Sequence, residues 1–189
     1  MQESSLAVVP SSLTARRTVA VVLGAALVAV AAQISIPLPG TPVPMTLQPL
    51  AVLLVGGLLG PGLGTTSMVL YLALGAAGLP AFTPHGLPGL ARLVGPTGGY
   101  LLAYPVAASA VGKLAGGADA RHWGRLTLGV GAGLVLIHLG GLAQLLILTH
   151  SLRDALQLGT VPFVVGDLAK LAIAVLLLRR TVSPLRARL

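Results

Sequence analysis

Long apolar stretches alternate along the chain with short breaks that hold most of the charged, glycine and proline residues. A helix that crosses a bilayer needs roughly 20 predominantly apolar residues. Six stretches approach this length, and the pattern predicts a transmembrane helix in each: 17–36, 46–60, 62–79, 98–116, 126–149 and 160–180. The second and third meet at Gly60-Pro61-Gly62. Proline stops a helix and glycine permits unusual backbone angles, so a tight helix-helix turn is expected there.

Composition agrees with a membrane location. Of the 189 residues, 55% are hydrophobic and 8% are charged, against roughly 25% charged residues in ordinary soluble domains. We therefore predict an all-α integral membrane protein with a single six-helix domain at 16–181, a cytoplasmic tail at 1–15 and a basic cytoplasmic tail at 182–189. The chain has no cysteine, which excludes disulfides and thiolate chemistry.

The basic residues predict the orientation. The net charge is +8 and only 3% of residues are aromatic, and the basic residues lie at the ends of apolar stretches, which fits membrane flanks rather than a nucleic-acid partner. Cytoplasmic loops carry an excess of Lys and Arg. With both termini in the cytoplasm, Arg92 and Arg153 lie outside and Lys170 lies within the membrane. The remaining basic residues lie inside: Arg16, Arg17, Lys113, Arg121, Arg125, Arg179, Arg180, Arg186 and Arg188. The chain is expected to cross its membrane several times.

The first apolar stretch leaves one alternative open. Arg16 and Arg17 precede it and Ala29-Val30-Ala31 resembles a small-residue cleavage site, a combination typical of a secretory signal peptide. Cleavage would leave five spans and remove a segment that continues directly into Gln33-Ile34-Ser35-Ile36-Pro37. We therefore favour a retained first helix.

The last apolar stretch contains Asp167 and Lys170. A charged side chain inside a transmembrane helix costs at least about 2.5 to 3.5 kcal/mol, so such residues usually face the interior of a bundle and serve a site. Positions three apart share one face of a helix. The carboxylate offers acceptors and the ammonium offers donors, so the pair suits a small ligand with both N–H and C=O groups. The alternative is an internal ion pair that only holds helices together.

Two loops rich in Gly and Pro lie on the same predicted outer side as this pair. Residues 36–48 contain four prolines, so they do not form a regular helix, and Thr46 and Gln48 offer neutral hydrogen bonds either to a ligand or to the interrupted backbone. Residues 80–97 contain Arg92 and lead into a helix, with Thr97 as the expected N-cap. An arginine and a helix N-terminus both favour an anion. The alternative is a structural turn with a solvated Arg92.

Other patterns exclude functions. Gly112-Lys113 lacks the surrounding residues of a phosphate-binding loop, and the four acidic residues are too dispersed for a paired-carboxylate centre or a metal cluster. We therefore predict no enzyme activity and no cofactor in this chain. His138 and Gln144 are six residues apart and do not share a helix face, so neither is assigned to the site.

The first helix carries small residues at four-residue spacing. The pairs are Ala20/Gly24 and Ala25/Ala29. Such pairs let helices approach closely in lipid, either within the bundle or against a partner. The spacing by itself leaves both possibilities open.

Several motifs, taken together, resemble the BioY family, the biotin-specific membrane subunits of energy-coupling-factor (ECF) vitamin transporters. They cover roughly residues 17–180 in the family's order. The motifs are Gln33-Ile34-Ser35-Ile36-Pro37-Leu38-Pro39, Val43-Pro44-Met45-Thr46-Leu47-Gln48, Leu70-Tyr71-Leu72 with Gly75, Gly78-Leu79-Pro80, Gly95-Pro96-Thr97-Gly98-Gly99-Tyr100, and Pro162-Phe163 with Gly166, Asp167 and Lys170.

The resemblance implies a six-helix protein whose outward-facing cavity binds biotin beneath the two loops. Asp167 and Lys170 would meet the ureido ring and Arg92 the valerate carboxylate, while Thr46, Gln48, Gly99 and Tyr100 match motif positions around the cavity. Ala25 and Ala29 would contact a transmembrane coupling subunit, which joins two cytoplasmic subunits that hydrolyse ATP.

The chain departs from the family pattern at a few positions. Val21 stands where an alanine is expected, Gln144 lies near a usual aromatic position, and an asparagine is usual near Thr83 or Pro84. A subunit for another small vitamin, or a membrane scaffold locked by Asp167 and Lys170, remains the alternative.

Overall fold

The computed structural model describes residues 12–115 and 122–186. Seven helices lie in these ranges: α1 (Ser12–Gln33), α2 (Gln48–Ala76), α3 (Ala91–Val94), α4 (Gly98–Leu114), α5 (Trp123–Thr149), α6 (Leu152–Gly159) and α7 (Val164–Arg186). Strands β1 (Ser35–Ile36) and β2 (Met45–Thr46) pair antiparallel, and a 3₁₀ turn (Val161–Phe163) leads into α7. Arg121, Arg188, most of the predicted N-terminal tail and the last three residues of the predicted C-terminal tail lie outside the described residues.

Helix α2 is folded back on itself at Gly60, where the sequence predicts a turn. Gly60 has φ 81° and ψ 179°, which interrupts the helix immediately before Pro61. A Cβ built on Gly64 would lie 3.0 Å from Cα of Gly56. Residues eight apart in a straight helix are about 12 Å apart along its axis, at 1.5 Å per residue. The two arms of α2 therefore run back against each other, in the places predicted for the second and third helices.

Among the described residues, four helices are long and apolar enough to cross a membrane, by length and composition. They are Leu13–Gln33, Gln48–Ala76, Trp123–Thr149 and the continuous segment Leu152–Thr181. Helix α4, with 17 residues, is shorter than the roughly 20 that a span needs. Helices α1, α2, α4, α5 and α7 overlap the predicted stretches, whereas α3 and α6 lie between them. The helix lengths do not by themselves establish six crossings.

The core forms where α4 packs between α2 and α5. Glycines bring the helices close together. A Cβ on Gly56 would lie 2.5 Å from the backbone oxygen of Ala108 in α4, and one on Gly133 in α5 would lie 2.5 Å from Val111. Helix α7 packs against α2, where the absence of a side chain at Gly57 makes room for Leu178. This arrangement places the N-terminal parts of α2, α4 and α7 and the middle of α5 around a common space.

Helix α1 packs on α2 through the small residues that the sequence identified. Gly24 lies against Ser67 and Val55, and Ala25 is only 2% exposed. Its outward face is formed instead by larger apolar side chains: Val19, Val22, Leu23, Leu27 and Val30. Ala25 is therefore not available to a partner in this conformation, and Ala29 is only partly exposed. The contact of Ala25 and Ala29 with a coupling subunit therefore stays a prediction.

The sequence did not predict three local features. The proline-rich segment closes through the β1–β2 pair, and Thr41 within it donates a 2.6 Å hydrogen bond to the carbonyl oxygen of Leu158 in α6. Helix α6 was not predicted as a separate element. Helix α5 begins at Trp123, three residues before the predicted stretch, and the guanidinium of Arg179 lies 4.5 Å from the centre of the Trp123 ring.

Candidate ligand site

A cavity opens between the two Gly/Pro-rich loops, the N-terminal parts of α4 and α7, and the middle of α5. The space between its walls is about 600 Å³, including the part open to solvent. The apolar walls come from Val43, Phe82, Leu101, Leu134, Ile137 and Phe163, and the polar groups from Thr46, Gln48, Arg92, Tyr100, His138, Asp167 and Lys170. Six of the seven residues predicted to bind ligand thus line one cavity, and Gly99 is the exception.

Three polar side chains form a connected group at the inner end of the cavity. Nζ of Lys170 donates to Oδ1 of Asp167 at 2.8 Å, and Nε2 of His138 lies 2.6 Å from Oδ2 of Asp167. Asp167 and Lys170 are 8% and 5% exposed. The pair shares one turn of α7 as predicted, and its charges balance inside the bundle.

Sequence reasoning missed His138. Spacing within the fifth helix gives His138 no partner on its own face. Its partner is Asp167, which lies 29 residues away on α7. The available signal was a single histidine inside an apolar stretch, which is unusual in a transmembrane helix.

Thr46 and Gln48 form a second polar group at the start of α2. Nε2 of Gln48 donates to the hydroxyl oxygen of Tyr71 at 2.5 Å, while the Thr46 hydroxyl donates to Oε1 of Gln48 at 3.2 Å. The backbone N–H of Gln48 donates in turn to Oγ1 of Thr46 at 3.2 Å. Tyr71 is fully buried and was not predicted to contribute. These bonds fix the orientation of the Gln48 amide at the cavity wall.

Arg92 lies in α3, under the second loop, and is 6% exposed. Its Nη1 donates to the carbonyl oxygen of His85 at 2.6 Å and its Nη2 to that of Thr83 at 2.8 Å. Burial lowers the pKa of the Arg92 guanidinium, which still stays charged in a protein. Five N–H groups are present on a guanidinium, so the two bonds leave donors for an anion. Arg92 therefore holds the loop and also faces the cavity.

Tyr100 and Gly99 have different roles at the start of α4. The Tyr100 hydroxyl donates to the carbonyl oxygen of Gly159 at 2.6 Å, and its ring meets the edge of the His138 ring at 6.1 Å between centroids. Tyr100 thus presents its ring to the cavity. Gly99 lies against Gly140 of α5, whose backbone oxygen a Cβ would strike. Gly99 does not line the cavity, and its position is explained by helix packing.

A second, outer cavity of about 750 Å³ adjoins the first and is lined by both loops. Pro44, Arg92 and Thr97 line both cavities. Thr97 precedes α4, as predicted, but its side chain makes no capping hydrogen bond. Arg92 therefore lies where the two cavities meet, and Asp167 lines only the first of them.

The BioY family model matches residues 3–187. The chain belongs to the BioY family. It is 44% identical over 155 residues to the biotin transporter BioY of Thermotoga maritima, covering 82% of this chain and 89% of that protein. It is 39% identical over 168 residues to the protein named "Probable biotin transporter BioY" of Pyrococcus horikoshii, covering 89% and 97%.

A solved structure extends the BioY comparison to the fold. The crystal structure of the S-component for biotin from an ECF-type ABC transporter superimposes with a TM-score of 0.79 and 27% sequence identity, covering 91% of this chain and 93% of that one. The helical arrangement is therefore that of an ECF S-component, and the family resemblance deduced from the motifs is confirmed.

Proposed function

We propose that this chain binds biotin in the inner cavity and acts as the substrate-binding subunit of an ECF transporter. The observation that carries the proposal is the distribution of charge in the cavity of a BioY protein. An ion pair whose charges cancel lies at the inner end of the cavity, and the walls beyond it are apolar. One buried guanidinium lies where the inner cavity meets the outer one. Biotin has the same order of groups: a neutral ureido ring, an apolar bicycle and chain, and a terminal carboxylate.

Each end of the ligand has a chemical counterpart. Lys170 donates to the ureido C=O and Asp167 accepts from a ureido N–H, since an ammonium is a donor and a carboxylate an acceptor. The N–H groups of Arg92 that do not bond to the loop carbonyls donate to the valerate carboxylate. Thr46 and Gln48 add neutral hydrogen bonds beside the ring, and Gly99 contributes through helix packing.

Transport requires partners that supply energy. We propose that six helices span a prokaryotic cytoplasmic membrane, with both termini inside. Biotin enters the cavity from outside. A transmembrane subunit with two ATPase subunits then drives its release into the cell. This chain contributes binding and contains no catalytic centre. The exposed face of α1 adjoining Ala29 is the proposed contact with the transmembrane subunit, because it is the accessible side of the helix that carries the small-residue pairs.

Calorimetric titration of biotin into the detergent-purified protein tests the proposal. The variants Asp167→Asn and Arg92→Ala remove the two charged contacts, and Arg153→Ala removes an arginine that is exposed and lines neither cavity. Losing a hydrogen bond to a charged group at a buried site costs roughly 1.5 to 3 kcal/mol. We expect affinity to fall at least about tenfold in the first two variants and to stay unchanged in the third.

The same titration separates the alternatives. Binding of thiamine or riboflavin without binding of biotin would assign another vitamin. No heat with any vitamin, from a folded sample shown to be free of co-purified biotin, would favour the scaffold function. A parallel thermal-unfolding measurement with and without biotin establishes that each variant is folded.

A further inference from the structure

The position of the Arg92 guanidinium depends on residues 80–94, the stretch of chain that carries it. Its Nη1 and Nη2 donate to the carbonyl oxygens of His85 and Thr83, so the guanidinium lies wherever these carbonyls lie. Backbone hydrogen bonds in the stretch join residues only a few positions apart. They shape the loop but do not attach it to another helix, so side chains from elsewhere must orient it.

Gln33, the last residue of α1, attaches the beginning of this stretch. Its Nε2 lies 3.2 Å from the carbonyl oxygens of Pro80 and Phe82, and 3.0 Å from that of Ala29 in α1. All three neighbours are acceptors, so the amide nitrogen, which donates, faces them rather than the amide oxygen. Phe82 directly precedes Thr83, so Gln33 acts one peptide away from a carbonyl that holds the guanidinium.

Gln144 in α5 attaches the other end of the stretch. Its Nε2 donates to the carbonyl oxygen of Val94 at 3.0 Å. Val94 is the last residue of α3 and lies two positions after Arg92. Two glutamines on two different helices thus bond to the two ends of the stretch that carries the guanidinium.

Apolar packing also holds this stretch. Phe82 is 6% exposed, and its ring meets the Tyr71 ring edge to face, with 5.5 Å between the centroids. Apolar contacts are non-directional, whereas a hydrogen bond weakens steeply when its angle departs from linearity. The ring therefore secures the loop to the bundle, and the two amides determine how the loop carbonyls are oriented.

We propose that Gln33 and Gln144 are positioning residues that orient residues 80–94 so that the Arg92 guanidinium meets the anionic end of the ligand. The inference rests on the proposed function. Neither glutamine lines either cavity, so both act through Arg92 and not by contact with the ligand. Their contribution therefore depends on the charge of the ligand's terminal group.

The affinities for biotin and for biotin amide, in which a neutral carboxamide replaces the carboxylate, measure this contribution as a ratio. The wild-type protein should prefer biotin at least about tenfold, because hydrogen bonds between charged groups are the stronger ones. Gln33→Met and Gln144→Met keep the length of the side chain but remove the donor. Each should lower the ratio about two- to tenfold, the value of one ordinary hydrogen bond.

Two controls accompany these variants. Gln157→Met makes the same change at an exposed position of α6 that lines neither cavity, and it should keep the wild-type ratio. In Arg92→Ala the ratio should be near one. Adding Gln33→Met or Gln144→Met to Arg92→Ala should not change it further, because residues that act through one another have non-additive effects.

The outcomes are distinguishable. A glutamine variant that weakens both ligands equally, and so keeps the wild-type ratio, would refute the positioning function of that residue while biotin binding stands. A further loss of preference in the Arg92→Ala background would refute action through Arg92. Failure of the wild-type protein to bind biotin would instead refute the proposed function. Thermal unfolding shows whether each variant is folded, and Gln33→Asn and Gln144→Asn, each one methylene shorter, provide a second variant at each position with the same expected loss.

Discussion

Asp167 and Lys170 place two opposite charges on one turn of a transmembrane helix. The free energy of burying each charge therefore depends on the presence of the other. Both are at least nine-tenths buried, and Asp167 also contacts His138. Removing one member of a buried ion pair leaves an uncompensated charge and costs about 3 to 5 kcal/mol, whereas replacing both by uncharged residues is often nearly neutral. Stability and ligand binding therefore respond differently to single and double substitution.

At this scale we predict the behaviour of Asp167→Asn and of Asp167→Asn/Lys170→Met. The single variant should lose about 3 to 5 kcal/mol of unfolding free energy because Lys170 stays charged in an apolar site. The double variant should recover most of this loss yet remain unable to bind biotin. Thermal unfolding in detergent and calorimetric titration check the two parts. A double variant that binds biotin as the wild type does would refute the binding role of the pair.

The elements are positioned by glycines at their points of closest approach. Gly60 adopts φ 81° and ψ 179°, a combination that is essentially confined to glycine. It reverses α2, and Gly112 of α4 packs directly against the resulting turn at Pro61. The reversal gives α2 two arms that hold α1, α4 and α7 in place around the cavity.

We predict that Gly60→Ala destabilises the fold by about 1 to 3 kcal/mol, the cost of an unfavourable backbone conformation. Gly62→Ala is the matched control, since Gly62 lies in the same turn with open space around its Cβ position and no positive φ. Its effect should stay within about 0.5 kcal/mol. Equal unfolding temperatures for the two variants would contradict a special role for the Gly60 backbone.

At the scale of the whole molecule, the orientation in the membrane relates the cavity to transport. Basic residues predict that the loops around the cavity lie outside, while the ends of α4 and α5 near Trp123 lie inside. The absence of cysteine from the sequence makes this directly measurable, because any introduced thiol is the only one in the chain.

We predict opposite labelling of Leu90→Cys and Gly124→Cys by a membrane-impermeant maleimide. Leu90 is 68% exposed beside the outer cavity, and Gly124 has open space at its Cβ position near the start of α5. In intact cells Leu90→Cys should react, and Gly124→Cys should react only after permeabilisation. The cysteine-free parent gives the background. The reverse pattern would place the cavity on the cytoplasmic side and refute uptake through it.

The sequence by itself determined the features that are local to one helix or one turn. Apolar length predicted the helices, Gly-Pro-Gly predicted the reversal in α2, and the three-residue spacing predicted that Asp167 and Lys170 share a face. These follow from helical periodicity and backbone sterics, which need no knowledge of neighbouring elements. The linked motifs also sufficed to identify the family.

Tertiary structure alone decided which faces meet. His138 reaches Asp167 across 29 residues, Gln48 meets Tyr71 across 23, and Ala25 turns inward although its helix is apolar on nearly every side. In a membrane the surfaces that face lipid and those that face the core are both apolar, so the pattern along α1 carries little information about its rotation. Packing between helices supplies that information, and with it the polar group at the inner end of the cavity.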